Sequence, residues 1–152
     1  MGLPEDAIAE ALRTFAGVPH RLEEVAERDG VLYVNDSKAT NVASAIVGIE
    51  AFEGGVHAIL GGSLKGGGFT GLRSPLSERA KAAYLIGEAA DRLAADLEDT
   101  VPLHRSGTLE QALADARANA ESGDVILLSP ACASYDQFKD YEARGDTFRR
   151  LA

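Results

Sequence analysis

Four short apolar runs, Val31–Val34, Val56–Leu60, Ala83–Ile86 and Val125–Leu128, each stop abruptly at a polar or glycine-bearing segment. The breaks are Asn35-Asp36, Gly61-Gly62, Gly87 and Ser129-Pro130. Runs this short and this continuous suit strands buried on both faces. Between them the apolar spacing is helical: Val42, Ala45, Ile46 and Ile49 after a candidate N-cap at Asn41, then Ser74–Ala82, Ala89–Leu97 and Leu109–Asn119. Repeated strand–helix–strand units predict a mostly parallel sheet with helices on both faces. In such sheets ligands gather beyond the C-terminal ends of the strands. That rule directs attention to the loops after Val34, Leu60, Ile86 and Leu128.

The N-terminal part follows another pattern. Leu3, Ala7, Ile8, Ala11, Leu12 and Phe15 form one helical stripe, with Pro4 near its start and Gly17 beyond its end. A hairpin is expected next, from Leu22–Val25 and Val31–Val34 around Glu27-Arg28-Asp29-Gly30, whose Asp-Gly pair suits a tight turn. A short strand is predicted over Val101–His104. The helical start so near Met1 gives the expectation of an excised domain with an engineered boundary at Met1-Gly2.

At 152 residues the chain fits one domain, burying roughly two thirds of its unfolded surface. Its single cysteine, Cys132, excludes an internal disulfide framework. The formal charge of -9 disfavours a nucleic-acid or anionic-membrane surface, since both reward a basic footprint. Arg144, Arg149 and Arg150 form the only local basic cluster and suit a solvated helix face. His20, His57, His104 and Cys132 lack the spacing of a metal site.

Three loops carry residues suited to binding. In Asn35–Asn41, Asp36 suits sugar hydroxyls, Lys38 a phosphate or carboxylate, and Thr40 a single oxygen. Asp36, Ser37 and Thr40 could equally tie down the turn while Asn41 caps the helix. Gly61–Gly68 offers free amides and Lys65, an anion-binding combination, but Leu64 and Gly66 flank that lysine where a P-loop needs glycine and serine or threonine. In Ser129–Ser134, Ser134 is placed to cap a following helix and to meet a carboxylate there. Arg21 suits a phosphate through its rigid fork, or an ordinary surface contact with glutamate. Cys132 has no assignable histidine partner and fits a buried thiol better than a nucleophile.

Phe15–Arg21, Asn35–Asn41, Gly61–Gly66, Ser129–Ser134, Asp136–Phe138 and Arg144–Phe148 occur together in an order similar to that of the Mur ligases. The resemblance is to their glutamate-adding branch and spans nearly the whole chain. It implies that residues 1–152 are a Rossmann-like α/β C-terminal domain, preceded in the full polypeptide by two covalently linked domains. The expected reaction is ATP-dependent addition of D-glutamate to UDP-N-acetylmuramoyl-L-alanine in cytoplasmic peptidoglycan synthesis, which supports cell shape and division. It proceeds through an acyl phosphate, with ATP and Mg2+ held mainly by the central domain. The isolated domain is expected to be inactive.

Carried onto this chain, the resemblance assigns Thr40 and Lys65 to the α-carboxylate of glutamate, and Ser134 with the backbone at Tyr141 to its side-chain carboxylate. Asp36 would meet ribose hydroxyls, Arg21 a phosphate, and Lys38 would organise the loop; no covalent nucleophile is implied. Two departures from the family pattern stand out: Gly68 replaces an acidic residue before Phe69, and Tyr141 replaces a phenylalanine. The first leaves open an L-glutamate-adding or folylpolyglutamate synthase-like ligase. From a different class, a standalone ligand-binding module is the remaining alternative.

Overall fold

The computed structural model describes residues 18–64 and 66–152. The helix expected between Leu3 and Phe15 lies outside them, as does Lys65. The strands are β1 (Glu23–Arg28), β2 (Val31–Asn35), β3 (Val56–Gly61), β4 (Ala80–Ile86), β5 (Leu103–Gly107) and β6 (Val125–Leu128). The helices are α1 (Val42–Glu50), α2 (Arg73–Arg79), α3 (Ala90–Asp96), α4 (Leu109–Asn119) and α5 (Tyr141–Leu151), with a 3-10 turn at Thr70–Leu72 before α2.

The six strands form one sheet in the order β1-β2-β6-β3-β4-β5. Only β1 runs antiparallel, against β2; the other pairings are parallel. Strand alternation sorts the core into two layers. Val34, Ala58, Leu60, Leu85 and Leu127 pack beneath α1, α2 and α3 through Ile49, Leu76 and Leu93. Tyr33, Ile59, Tyr84, Ile126 and Leu128 face α4 and α5 through Leu113 and Phe148. The predicted α/β architecture, with helices on both faces and a hairpin at the start of the sheet, is the one observed. Among the described residues no helix is long and apolar enough to cross a membrane.

Local boundaries differ for physical reasons. The hairpin turn is the pair Asp29-Gly30, both at positive φ (54° and 78°), which lets the strands run closer to the turn than predicted. The helix predicted over Ser74–Ala82 ends at Arg79, and Ala80 begins β4 opposite Val56. The helical propensity of the alanines yields there to pairing with β3. The last edge strand runs over Leu103–Gly107, later than the predicted Val101–His104.

The largest correction falls after β6. Ser134 caps no helix; its carbonyl accepts from Gln137 and Phe138 in a turn. Helix α5 starts only at Tyr141, capped by Asp140, whose Oδ1 accepts from the Ala143 amide at 2.8 Å. Arg144 is not part of a solvated face but fully buried.

Candidate functional site

Parallel pairing sets the C-terminal ends of β2, β6 and β3 side by side. Their three loops therefore meet at one edge. The loop after β2 is held on nearly every residue. Asn35 donates from Nδ2 to His20 Nδ1 at 2.9 Å and to Glu23 Oε1 at 3.0 Å, and its Oδ1 accepts from the Ser37 amide at 3.1 Å. That last bond orients the side-chain amide, so His20 Nδ1 is the acceptor. Asn41 caps α1 as expected, accepting from the Ser44 amide at 2.9 Å.

This loop separates two clefts. The first, about 180 Å³, is lined by Thr40, Ser63, Gly66–Phe69 and Ala131–Ala133. The second, about 190 Å³, is lined by Arg21, Asp36, Lys38, Ser44, Val47 and Gly48. The residues assigned to nucleotide contact from sequence thus share one cleft, and Thr40 lies in the other. Ser134 and Tyr141 line neither. Ser134 follows the cleft-lining Ala133; it is 1% exposed and its hydroxyl has no hydrogen-bond partner among the described residues. The Tyr141 carbonyl accepts from Ser37 Oγ at 2.7 Å, and its ring meets His20 edge-on at 5.9 Å.

Asp36 is nearly buried. Its Oδ1 accepts from the Leu22 amide at 3.0 Å and its Oδ2 from Ser129 Oγ at 2.7 Å. Burial pushes its carboxyl above the ordinary range, and Ser129, Leu22 and the Arg21 charge offset only part of this. Gly48 makes the arrangement possible, because a Cβ there would stand 2.5 Å from both Asp36 Oδ2 and Ser129 Oγ. Arg21 itself is exposed between His20 and Leu22, both in the left-handed region (φ 67° and 43°). The Cys132 thiol lines the first cleft, and burial pushes it up to about 12. A thiol so hard to ionise is no nucleophile.

The glycine-rich loop has anchors of its own. Its Leu64 amide donates to Glu88 Oε1 at 3.0 Å, and its Phe69 amide donates to Asp96 Oδ2 at 2.8 Å. Asp96 is also paired with Arg92 at 3.1 Å. A Cβ at Gly68 would sit 3.3 Å from Asp96 Oδ2. Asp96 thus fastens the loop from α3, beside the position where an acidic residue was expected in the loop itself.

Sequence reasoning missed Gly48, Ser129 as the partner of Asp36, and the burial of Arg144. A signal existed for two of them: Gly48 lies on the inward stripe of Ala45 and Ile49, and Arg144 lies one helical turn before the buried Phe148.

An open, mostly parallel α/β sheet with polar and glycine-rich loops converging at its C-terminal edge places the chain in the Rossmann-like class, in which ligands gather at that edge. The family model described as "Mur ligase, glutamate ligase domain" matches residues 20–132, and the chain belongs to that family. Among curated relatives, the UDP-N-acetylmuramoylalanine–D-glutamate ligase of Pseudomonas fluorescens is 49% identical, the match covering 99% of this chain and 35% of that protein. The ligase of the same name from Acidobacterium capsulatum is 50% identical over 99% of this chain and 32% of its own length. The chain therefore spans about a third of the curated relatives it matches.

Solved structures share the fold. A bifunctional folylpolyglutamate synthase/dihydrofolate synthase from Yersinia pestis superposes with a TM-score of 0.63 at 22% identity, over 99% of this chain and 35% of that one. The MurF ligase of Thermotoga maritima, solved with ADP, gives a TM-score of 0.60 at 23% identity, over 88% of this chain and 31% of that one.

Proposed function

We propose that residues 1–152 form the C-terminal domain of a cytoplasmic ATP-dependent ligase that adds D-glutamate to UDP-N-acetylmuramoyl-L-alanine in peptidoglycan synthesis. The observation carrying this reading is the pair of clefts divided by Asn35–Asn41, one bearing Arg21, Asp36 and Lys38 and the other Thr40 with the glycine-rich loop. Close identity to ligases named for D-glutamate supports the choice of amino acid.

In this reading the second cleft approaches the nucleotide. Asp36 accepts from ribose hydroxyls through lone pairs its own partners leave free, Arg21 meets a phosphate, and Lys38 adds positive potential. The first cleft receives glutamate, whose α-carboxylate meets Thr40 and Lys65. The unpartnered Ser134 hydroxyl and the backbone near Tyr141 take the side-chain carboxylate. ATP activates the acceptor substrate's carboxylate as an acyl phosphate, and this domain orients the attacking amine and excludes water. Among its described residues no group of three or more His, Cys, Asp or Glu side chains could hold a metal. In this reading ATP and Mg2+ are held mainly by a central domain, which with an N-terminal domain precedes this one in the complete polypeptide.

The test is ligation by the complete polypeptide with ATP, UDP-N-acetylmuramoyl-L-alanine and either enantiomer of glutamate. Phosphate release and product with D-glutamate are expected; product with L-glutamate alone would overturn the reading in favour of an L-glutamate ligase. Lys65→Ala should raise the KM for glutamate about tenfold, as loss of a charged carboxylate contact does. The isolated chain should not turn over.

A further inference from the structure

Arg144 is the largest fully buried side chain described, at 0% exposure. Its guanidinium bonds two of the three loops of the site and lies against the third. Nε donates to Ser37 Oγ at 2.9 Å and Nη2 to the Ser37 carbonyl at 2.7 Å, both in the loop after β2. Nη1 donates to the Cys132 carbonyl at 3.0 Å, in the loop after β6. The turn after β3 leaves room for it: Gly62 has φ 145°, and a Cβ there would stand 3.2 Å from Nη1 and 2.2 Å from the Ala133 carbonyl.

The acceptors are all neutral, and among the described residues no carboxylate forms an ion pair with Arg144. Burial pulls its pKa down to about 10, still well above neutrality, so the group stays cationic at neutral pH. A buried charge held only by neutral dipoles is expensive unless a counter-charge arrives. This one lies behind the wall of the first cleft formed by Ala131–Ala133.

We propose that Arg144 is a positioning residue for the amino-acid cleft. It ties the loop after β2 to the loop after β6 and leaves a net positive charge beneath them, which an anionic amino acid balances. The inference rests on the glutamate-ligase reading. It also predicts an asymmetry between the clefts. Asp36 keeps anchors that do not involve Arg144, namely the Leu22 amide, Ser129 and the bond from its own amide to the Leu128 carbonyl. The wall of the first cleft is tied to the loop after β2 by the bond from the Ala131 amide to the Ala39 carbonyl at 2.9 Å and by the Arg144 fork, and at Cys132 by the fork.

The test is steady-state kinetics of the complete ligase polypeptide carrying Arg144→Lys, with thermal melting in parallel and Arg150→Lys, exposed on the same helix, as control. Arg144→Lys keeps a charge but loses the three-way fork. The KM for D-glutamate should rise about tenfold, with the KM for ATP changed less than about threefold. Arg150→Lys should change neither. An unchanged glutamate KM, or equal rises for both substrates, would overturn the proposal; so would a fall in kcat alone that follows the folded fraction.

Should Arg144→Lys fail to fold, Ser37→Ala, which removes one acceptor of the fork, must show the same bias towards glutamate at about two- to threefold. An unbiased effect there overturns the proposal equally. A wild type without glutamate-dependent turnover would remove the ligase reading and this inference together. A working wild type beside an unaffected Arg144→Lys removes the inference alone.

Discussion

Two aspartates at opposite ends of the sheet, Asp36 just past β2 and Asp124 just before β6, are equally buried, at 4% and 5% exposure. Their acidities move in opposite directions. For both, burial is the largest influence and raises the pKa. At Asp124 the Lys81 ammonium at 2.8 Å, the Glu121 amide and His57 outweigh it, leaving the carboxyl below its ordinary value. At Asp36 the partners are a hydroxyl and one amide, and burial wins. The Asp124 end is closed on itself: His57 continues to the Tyr84 hydroxyl at 2.9 Å, and Tyr84 stacks on His104 at 4.9 Å. One carboxylate is saturated by the fold, while the other stands in a cleft without a fixed cation. The same burial therefore serves architecture at one end and, in the reading proposed above, ligand contact at the other.

The largest loss belongs to the saturated end. Asp124→Ala leaves His57 and the Glu121 amide without their acceptor and should cost about 2–4 kcal/mol in urea denaturation. Its contribution should be present above the ordinary carboxyl value of 3.8 and disappear as pH falls through the lowered folded value. Wild type and variant should then converge in stability in acid. A cost that persists unchanged there would remove the ionised carboxylate as its source.

Gly48→Ala should cost about 1–3 kcal/mol, because the added methyl must displace the Asp36–Ser129 pair in a packed layer. It should also weaken ATP use in the complete ligase; a cost in stability with ATP kinetics intact would separate Gly48 from the site. The smallest effect on stability belongs to Asp36→Asn, within about 1 kcal/mol of wild type, since the charge removed was poorly compensated. A raised folded pKa means that stability is lost as pH rises from 3.8 through the folded value. The asparagine variant should therefore gain on wild type across that window, while the KM for ATP rises about tenfold. A loss of several kcal/mol would mark Asp36 as a structural carboxylate like Asp124.

Much of the fold was legible because its signals are local and periodic. The apolar runs, the Asp-Gly turn and the Asn41 cap each act within a few residues. Errors arose where distant pairing overruled local preference, as at Ala80–Ala82, drawn into β4 by β3. The segment after Ser134 was misjudged for a related reason: a serine that resembles a cap lies in a turn, and the true cap is Asp140, six residues on.

The site divides in the same way. Arg21, Asp36 and Lys38 could be singled out from residue type and from their place around the end of a strand, and the structure gathers them in one cleft. That Asp36 is held by Ser129 and spared by Gly48 could not be read along the chain, because those contacts cross from β2 to β6 and α1. The burial of Arg144 left one trace in the chain, its spacing one turn before Phe148, but its partners Ser37 and Cys132 lie on loops outside its helix. The sequence by itself determined the parallel sheet and the chemistry available at its loops, since both depend on short-range patterning. Only the tertiary structure decided which charges stay unpaired, because a group's partners in a folded chain are set by how strands and helices pack, not by the residues beside it.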